Sequence, residues 1–265
     1  MIMRAEITSV ILFFNKPTLT KGCIDSFQKA MVAQTNRKKT SSLSYFFEQN
    51  FLVDNGSSLI NYDTIRNAST CFKVHRIENN SGFSKGMNVG LKASFDQPNI
   101  QWAILSSNDV CLPADFYINL VELLESDRNL SKLPTILCPR VYFQMDKTKL
   151  SYTCGLFSQN SNELSHLKID CSQIEFPYYY PAALTIWNKK AYEILGGFSE
   201  NYFCYWEDVD LSLRASQKNV ALTSAPTLHI YHLGRGTTAG KNAYYGHFMK
   251  GKQTFLETLL FPGRI

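Results

Sequence analysis

The chain has 265 residues, 45% of them hydrophobic and 18% charged, which is enough apolar material for a sizeable core and argues against disorder. Its formal net charge of +5 suits an anionic substrate or a membrane surface. It is too small and too dispersed to point to a nucleic-acid partner.

No apolar run reaches the ~18 residues of a membrane span. The first residues, MIMRAEITSVILFFNK, lack a small-residue cleavage site and read as a first strand rather than a signal peptide. The cysteines, Cys23, Cys71, Cys111, Cys138, Cys154, Cys171 and Cys204, are odd in number and scattered, with no C-x-x-C pair. Reduced thiols in a cytoplasmic protein are expected, not a zinc ribbon or a disulfide scaffold.

In chain order, residues 7–14 (ITSVILFF) form the continuous apolar run of a strand buried on both faces in a parallel sheet. Asn15, Lys16 and Pro17 break it, and residues 18–33 read as a helix. Residues 35–44 are polar and basic and lack interleaved aromatics, so a solvated loop is expected there. A second strand ends at Val53 and runs into Asp54-Asn55-Gly56-Ser57-Ser58. An acid there sits where open α/β sheets bind ligands, or it makes an Asx turn before the next helix.

Residues 72–77 read as a third strand. The segment from Asn79 to Gly90 comes next, with Gly82, Gly86 and Gly90 at four-residue spacing and Lys85 and Asn88 among them. Such a loop can approach a ligand closely and enter a helix, although it matches neither G-x-x-x-x-G-K-[ST] nor G-x-G-x-x-G. Residues 100–105 (IQWAIL) form a fourth buried strand ending in Ser106-Ser107-Asn108-Asp109. Asp109 is placed either to hold Mg²⁺ or Mn²⁺ or to turn the chain toward a helix over 113–126.

Beyond a strand at 133–143, residues 144–176 look irregular or strand-rich. The aromatics Tyr178, Tyr179 and Tyr180 read as core somewhat more readily than as a sugar-stacking face. They precede a strand over 182–187 and a short helix over 188–195, stopped by Gly196 and Gly197. Residues 198–214 (FSENYFCYWEDVDLSLR) then place Glu207, Asp208 and Asp210 in or just before the first turn of a helix, behind an aromatic run. Acids there complement the helix dipole; one half covered by aromatic rings can also take a proton from a hydroxyl. Residues 220–231 read as an edge or broken strand because of Pro226. Residues 241–261 read as a basic amphipathic helix packed on the core, with a membrane-surface contact or a subunit contact in a homo-oligomer as the alternative.

In this order the motifs resemble those of the family 2 glycosyltransferases, in particular the bacterial rhamnosyl- and galactofuranosyltransferase-like branch. The matching stretches are FFN at 13–15, VDNGSS at 53–58, NSGFSKGMNVG at 80–90, SND at 107–109, GGFSENYFCYWEDVDLSLR at 196–214 and HLGRGTT at 232–238. The resemblance implies a GT-A fold: an α/β architecture with a mostly parallel nucleotide-binding sheet flanked by helices and a mixed acceptor-side portion. It divides the chain into a transferase domain at 1–240 and a packed C-terminal helix at 241–265.

The resemblance also implies an inverting transfer from a UDP- or dTDP-linked sugar, with Mg²⁺ or Mn²⁺, to a glycan or lipid-linked acceptor of the bacterial envelope. The enzyme would be cytoplasmic, at the inner face of the membrane. Phe14, Asn15 and Asp54 would hold the nucleoside, and Gly82, Lys85, Asn88 and Asn108 would lie near the base and diphosphate. Asp109 and His232, rather than His229, would hold the metal; Asp208 would be the base, with Glu207 positioning the acceptor. Ser107, Ser199 and Trp187 depart from the family pattern. Two other classes stay open: a catalytically silent nucleotide-sugar-binding protein of the same fold, and a nucleotidyltransferase, which would need a basic glycine-rich N-terminal loop.

Overall fold

The computed structural model describes residues 4–36, 44–46, 49–158, 160–168, 178–234 and 240–260. The first half alternates strand and helix: β1 (Arg4–Phe13), α1 (Pro17–Asn36), β2 (Ser44–Phe46), β3 (Asn50–Asn55), α2 (Leu59–Ala68), β4 (Phe72–Ile77), α3 (Phe83–Phe95) and β5 (Ile100–Ser107). A short β6 (Val110–Cys111) leads to α4 (Phe116–Ser126), α5 (Asn129–Lys132) and β7 (Thr135–Phe143). Then come β8 (Leu150–Tyr152), β9 (Cys154–Ser158), β10 (Glu163–Leu167), β11 (Tyr178–Tyr179), β12 (Leu184–Asn188) and α6 (Lys189–Leu195). The last elements are α7 (Glu207–Gln217), β13 (Ala221–His232) and α8 (Gly240–Leu260).

The main sheet runs β4-β3-β1-β5-β12-β7-β13-β6, with β2 on β1 and β8 on β7. Strands β4, β3, β1 and β5 are parallel throughout, as the buried apolar run of β1 predicts. Strand β12 enters antiparallel between β5 and β7 and so turns the sheet from parallel to mixed. Strands β10, β9 and β11 make a separate antiparallel sheet.

Side-chain alternation on β1 sets the two core layers. Ile7, Ile11 and Phe13 join a cluster with Phe27 of α1 and Tyr117 of α4. Val10 and Leu12 point the other way, to Met87 and Leu91 of α3. A third cluster joins Phe157 of β9, Trp206 and Phe255 of α8.

Several sequence expectations are corrected. The glycine segment is mostly helix: Gly82 caps α3, while Gly86 and Gly90 lie inside it. A Cβ on Gly90 would come within 2.2 Å of Val10, and one on Gly86 within 2.6 Å of Leu12. These two glycines therefore serve helix-on-sheet packing rather than a ligand. Helix α4 begins at Phe116 instead of residue 113.

Of the two readings of β13, an edge or a broken strand, the second holds: it lies between β7 and β6 and its register breaks. Pro226 falls in the register break between Ala225 and His229, which removes its missing N–H from the ladder. Cys23, Cys71, Cys111, Cys138 and Cys204 are free as expected, but Cys154 is disulfide-bonded. Spacing along the chain does not reveal which thiols a fold brings within bonding distance. No helix among the described residues is long and apolar enough to cross a membrane.

Alanine is the better helix former by about 1 kcal/mol, yet Gly90→Ala is expected to lower the melting temperature because overpacking costs about 1–3 kcal/mol. The double variant Gly90→Ala/Val10→Ala should recover part of that loss. Calorimetry of the three proteins checks both expectations.

Candidate active site

The parallel strands all end at one edge, and the candidate residues gather there. Past β1, Asn15 and Lys16 take positive φ (both 53°), which turns the chain sharply into α1. The Asn15 side-chain oxygen accepts from Ser58 N (3.0 Å) and Asn61 Nδ2 (2.9 Å), and its backbone N–H donates to Ser57 Oγ (2.7 Å). Asn15 thus ties the end of β1 to the end of β3. Asp54 is fully buried. Its carboxylate accepts from Ser57 N (3.0 Å) and pairs with Arg76 Nη1 (3.1 Å), the residue in register with it on β4. Of the two sequence expectations for Asp54, this geometry is the Asx-type turn, with the charge answered by Arg76.

Gly82 has φ 87° and packs so closely that a Cβ would lie 2.3 Å from the carbonyl oxygen of Phe203. The Phe83 N–H donates to that same carbonyl. Asn55 secures the turn, donating to Asn80 Oδ1 (3.0 Å) and Gly82 O (2.9 Å) and accepting from Ser81 N (3.0 Å). Asn88 is committed elsewhere: its amide donates to Phe198 O (2.9 Å) and accepts from Phe198 N (2.9 Å), clamping the Gly197 loop. Lys85 lies outside with Glu200, 3.9 Å away. A cavity of about 220 Å³ opens between these ends, lined by Phe14, Asn55, Gly82, Asn108, Cys204 and His247.

Asn108 also lines a wider cleft of about 570 Å³, shared with Lys16, Leu19, Asp109, Cys111 and Leu233. Buried Asn108 donates to Thr20 Oγ1 (2.8 Å) and so locks the start of α1 to the end of β5. Asp109 Oδ1 accepts from Ser107 Oγ (2.6 Å) and lies 3.2 Å from His232 Nε2. Backbone pairing fixes that distance: β6 is antiparallel to β13, with His232 opposite Val110, and Leu233 N donates to Asp109 O (3.0 Å). The other imidazole nitrogen, Nδ1, lies 3.3 Å from the Tyr152 hydroxyl.

A carboxylate oxygen and an imidazole nitrogen at this separation suit a divalent cation such as Mn²⁺. Among the described residues no group of three metal-ligating side chains occurs. A cation there would fill its remaining positions from a diphosphate and water.

The three acids of α7 are served differently. Asp210 pairs with Arg214 (2.6 Å), whose Nη1 also reaches Gly197 O (3.1 Å), so this acid holds the preceding loop. Glu207 is buried, and its Oε2 has no hydrogen-bond partner. Burial, then the neighbouring Asp208 charge, push its carboxyl well above the usual range. Asp208 is only partly buried and accepts from Val209 N (2.9 Å). Burial pushes it up to about 6, against backbone N–H groups that pull it down.

These groups converge. Burial raises the Cys204 thiol, and the charges of Glu207, Asp208 and Asp109 add to the effect. Burial also raises the Tyr152 hydroxyl, with Asp109 and Asp208 both contributing. The fold thus gathers Asn108, Asp109, His232, Glu207 and Asp208, while it encloses Asp54 and turns Asn88 and Lys85 to the Glu200 loop. Sequence reasoning missed Arg76, Tyr152, Cys204 and His247. Only Arg76 carried a signal, as a cation one strand away from the Asp54 turn.

The site rests on strained backbone. Tyr205 and Trp206 both sit in the left-handed region (φ 72° and 73°) immediately before α7. Helix α8 braces them: the Trp206 ring contacts Phe248 (5.6 Å) and Phe255 (5.5 Å). A Cβ on Gly251 would come within 2.5 Å of Tyr205 O. His247 stacks on Phe203 at 4.7 Å and closes the smaller cavity.

No protein-family model and no curated protein sequence matches the chain. Solved structures do. GalNAc-T7 with UDP, GalNAc and Mn²⁺ superposes at TM-score 0.59 and 15% identity over 96% of this chain and 48% of that one. The mannosyltransferase PcManGT from Pyrobaculum calidifontis, with GDP-Man and Mn²⁺, gives 0.59 and 13% over 96% of this chain and 65% of that one. Residues 1–349 of S. aureus TarS give 0.53 and 14% over 91% of this chain and 63% of that one. The chain has the GT-A fold of these glycosyltransferases, and it spans less than two thirds of the length of each.

Removing Arg76 would leave Asp54 charged and buried. Arg76→Ala is expected to cost about 3 kcal/mol, the low end for a broken buried pair, because Arg76 is itself 28% exposed. Adding Asp54→Asn should restore most of that loss, as chemical denaturation of the single and double variants would show.

Proposed function

We propose that the chain is an inverting glycosyltransferase of family 2, in its rhamnosyl- and galactofuranosyltransferase-like branch. It moves a sugar from a UDP- or dTDP-linked donor to a hydroxyl of a glycan or lipid-linked oligosaccharide during synthesis of a bacterial cell-surface polysaccharide. One observation carries this proposal. Asp208, a carboxylate raised to about 6, shares its surroundings with the Asp109–His232 pair at the carboxyl edge of the sheet.

Such a carboxylate is ionised at neutral pH yet basic enough to receive a proton in the transition state. The acceptor oxygen bonds to the anomeric carbon as the bond from that carbon to the diphosphate oxygen breaks. The hydroxyl proton passes to Asp208, the nucleoside diphosphate leaves, and a single displacement inverts the anomeric centre. Glu207, whose carboxyl is raised by burial and whose Oε2 has no hydrogen-bond partner, positions the acceptor. Phe14, Asn15, Gly82 and Asn108 shape the nucleotide side, and Asp54 supports it from within. Asp109 and His232 would hold Mg²⁺ or Mn²⁺, which when bound neutralises charge on the departing diphosphate.

Helix α8 supplies a route to lipid-linked acceptors at the inner face of the membrane. Tyr245, Met249 and Leu260 stay exposed on it, and Lys250 and Lys252 stand among them. That surface suits anionic headgroups.

Asp208→Asn is expected to reduce transfer by about a thousandfold while Mn²⁺-dependent binding of UDP or dTDP persists. Near wild-type turnover would reject Asp208 as the base. In the wild type, kcat should fall as pH drops below about 6, because protonation removes the base. The same raised carboxyl makes stability depend on pH. The folded state binds this proton more tightly than the unfolded chain, so the group stabilises the fold at low pH. That contribution is lost as pH rises through the unfolded and then the folded value. Asp208→Asn should therefore melt higher than wild type at pH 8 and lose that advantage near pH 4, as paired thermal scans would reveal.

A further inference from the structure

We infer that Tyr152 is a positioning residue for the metal pair, fixing the tautomer and the aim of His232. This rests on Asp109 and His232 being the residues that hold the cation.

An imidazole can ligate a cation through Nε2 only with a lone pair there, so its proton must sit on Nδ1. A hydrogen-bond acceptor at Nδ1 selects that tautomer and holds the ring plane. The Tyr152 hydroxyl, 3.3 Å from Nδ1, is placed to be that acceptor when Nε2 ligates a cation. The other nitrogen, Nε2, faces Asp109 Oδ1 at 3.2 Å, so both nitrogens are engaged.

A hydroxyl can also serve the opposite state. With no cation bound, Nε2–H can donate to Asp109, and the Tyr152 O–H can turn to donate to Nδ1. A purely accepting group such as a backbone carbonyl could not do both. Tyr152 therefore lets His232 exchange between a resting contact with Asp109 and a ligating state without losing its second hydrogen bond.

The aim of Tyr152 is itself built in. Its backbone pairs with Val141 on β7, the strand that also pairs with β13. Its ring is buried and stacks on His166 of β10 at 4.9 Å and 24°. The small sheet thus carries its influence into the metal pair through one phenolic oxygen. Tyr152→Phe keeps the ring, the stack and the burial and removes only that oxygen.

The test is Mn²⁺ binding to the full chain, read from loss of the free aqua-ion EPR signal, with Mn²⁺ alone and with UDP. UDP binding in chelator and the melting temperature are measured alongside for wild type, Tyr152→Phe and His232→Ala. In Tyr152→Phe, Mn²⁺ affinity should fall about tenfold, as expected when an outer partner of a ligating His is lost. Chelator-phase UDP binding and melting temperature should be unchanged. In His232→Ala, Mn²⁺ affinity should fall at least as far.

Two results would overturn the role of Tyr152 alone. One is Mn²⁺ affinity kept in Tyr152→Phe but lost in His232→Ala. The other is a Tyr152→Phe variant that loses chelator-phase binding and thermal stability together, which marks a merely structural role. Unchanged Mn²⁺ binding in His232→Ala, or no Mn²⁺ binding by the wild type, would instead remove the metal pair, and the inference with it.

Discussion

Two consecutive left-handed residues, Tyr205 and Trp206, are the constraint on which the site depends. Neither is glycine, and such backbone costs about 1–3 kcal/mol per residue unless the surroundings enforce it. Here the enforcement comes from both flanks. On one side Gly82 lets the start of α3 close against the Phe203 carbonyl; on the other Gly251 lets α8 close against the Tyr205 carbonyl. The Trp206 ring fills the cluster between them. The sharp entry starts α7 at Glu207 and places two carboxylates in a first turn that faces protein instead of bulk solvent.

That enclosed first turn reverses the usual electrostatics of a helix start. A helix N-terminus ordinarily favours a carboxylate, and backbone N–H groups do lower both Glu207 and Asp208. Burial outweighs them. The chain then sorts its buried acids by the partner it gives them. Asp54 meets Arg76 and Asp210 meets Arg214; guanidinium groups hold both in purely internal roles. Asp109 faces an imidazole, and Glu207 and Asp208 face each other and a set of raised phenols and thiols. Two buried acids are thus answered by guanidinium groups, while Asp109, Glu207 and Asp208 have no such cation beside them among the described residues.

The division between legible and illegible features tracks the range of the interactions. Strands β1, β3 and β5 were plain in the sequence because burial on both faces leaves apolar runs. That α7 exists was plain because its apolar i,i+4 pattern is local, while its start at Glu207 was left open, the acids reading as in or just before the first turn. The glycines of α3 misled, since close approach to a ligand and close approach to Val10 require the same missing Cβ. Pro226 marked the segment as an edge or a broken strand, and the break is what the fold has; an edge and a register break both accommodate a missing N–H, so the sequence alone did not choose. Asn88 and Asp54 were visible as polar residues at strand and loop ends, but their partners, Phe198 and Arg76, lie on other elements. Tyr152 left no trace, for its oxygen meets His232 from across 80 positions of chain.

Identity of 13–15% to the solved relatives means that few side chains are shared. Backbone devices hold much of this chain's geometry and need few particular side chains. The pairing of β6 with β13 brings Asp109 and His232 together through main-chain bonds that any sequence can make. Likewise the glycine contacts at Gly82 and Gly251 need only the absence of a side chain. Helix α8 belongs to this frame: it braces the left-handed turn with Gly251 and Phe255 and walls the smaller cavity with His247. A cut at residue 240 would therefore remove a wall of the site rather than an appendage. The smaller cavity and the left-handed turn before α7 thus share α8 as a boundary, through His247 on one side and Phe248 and Phe255 on the other.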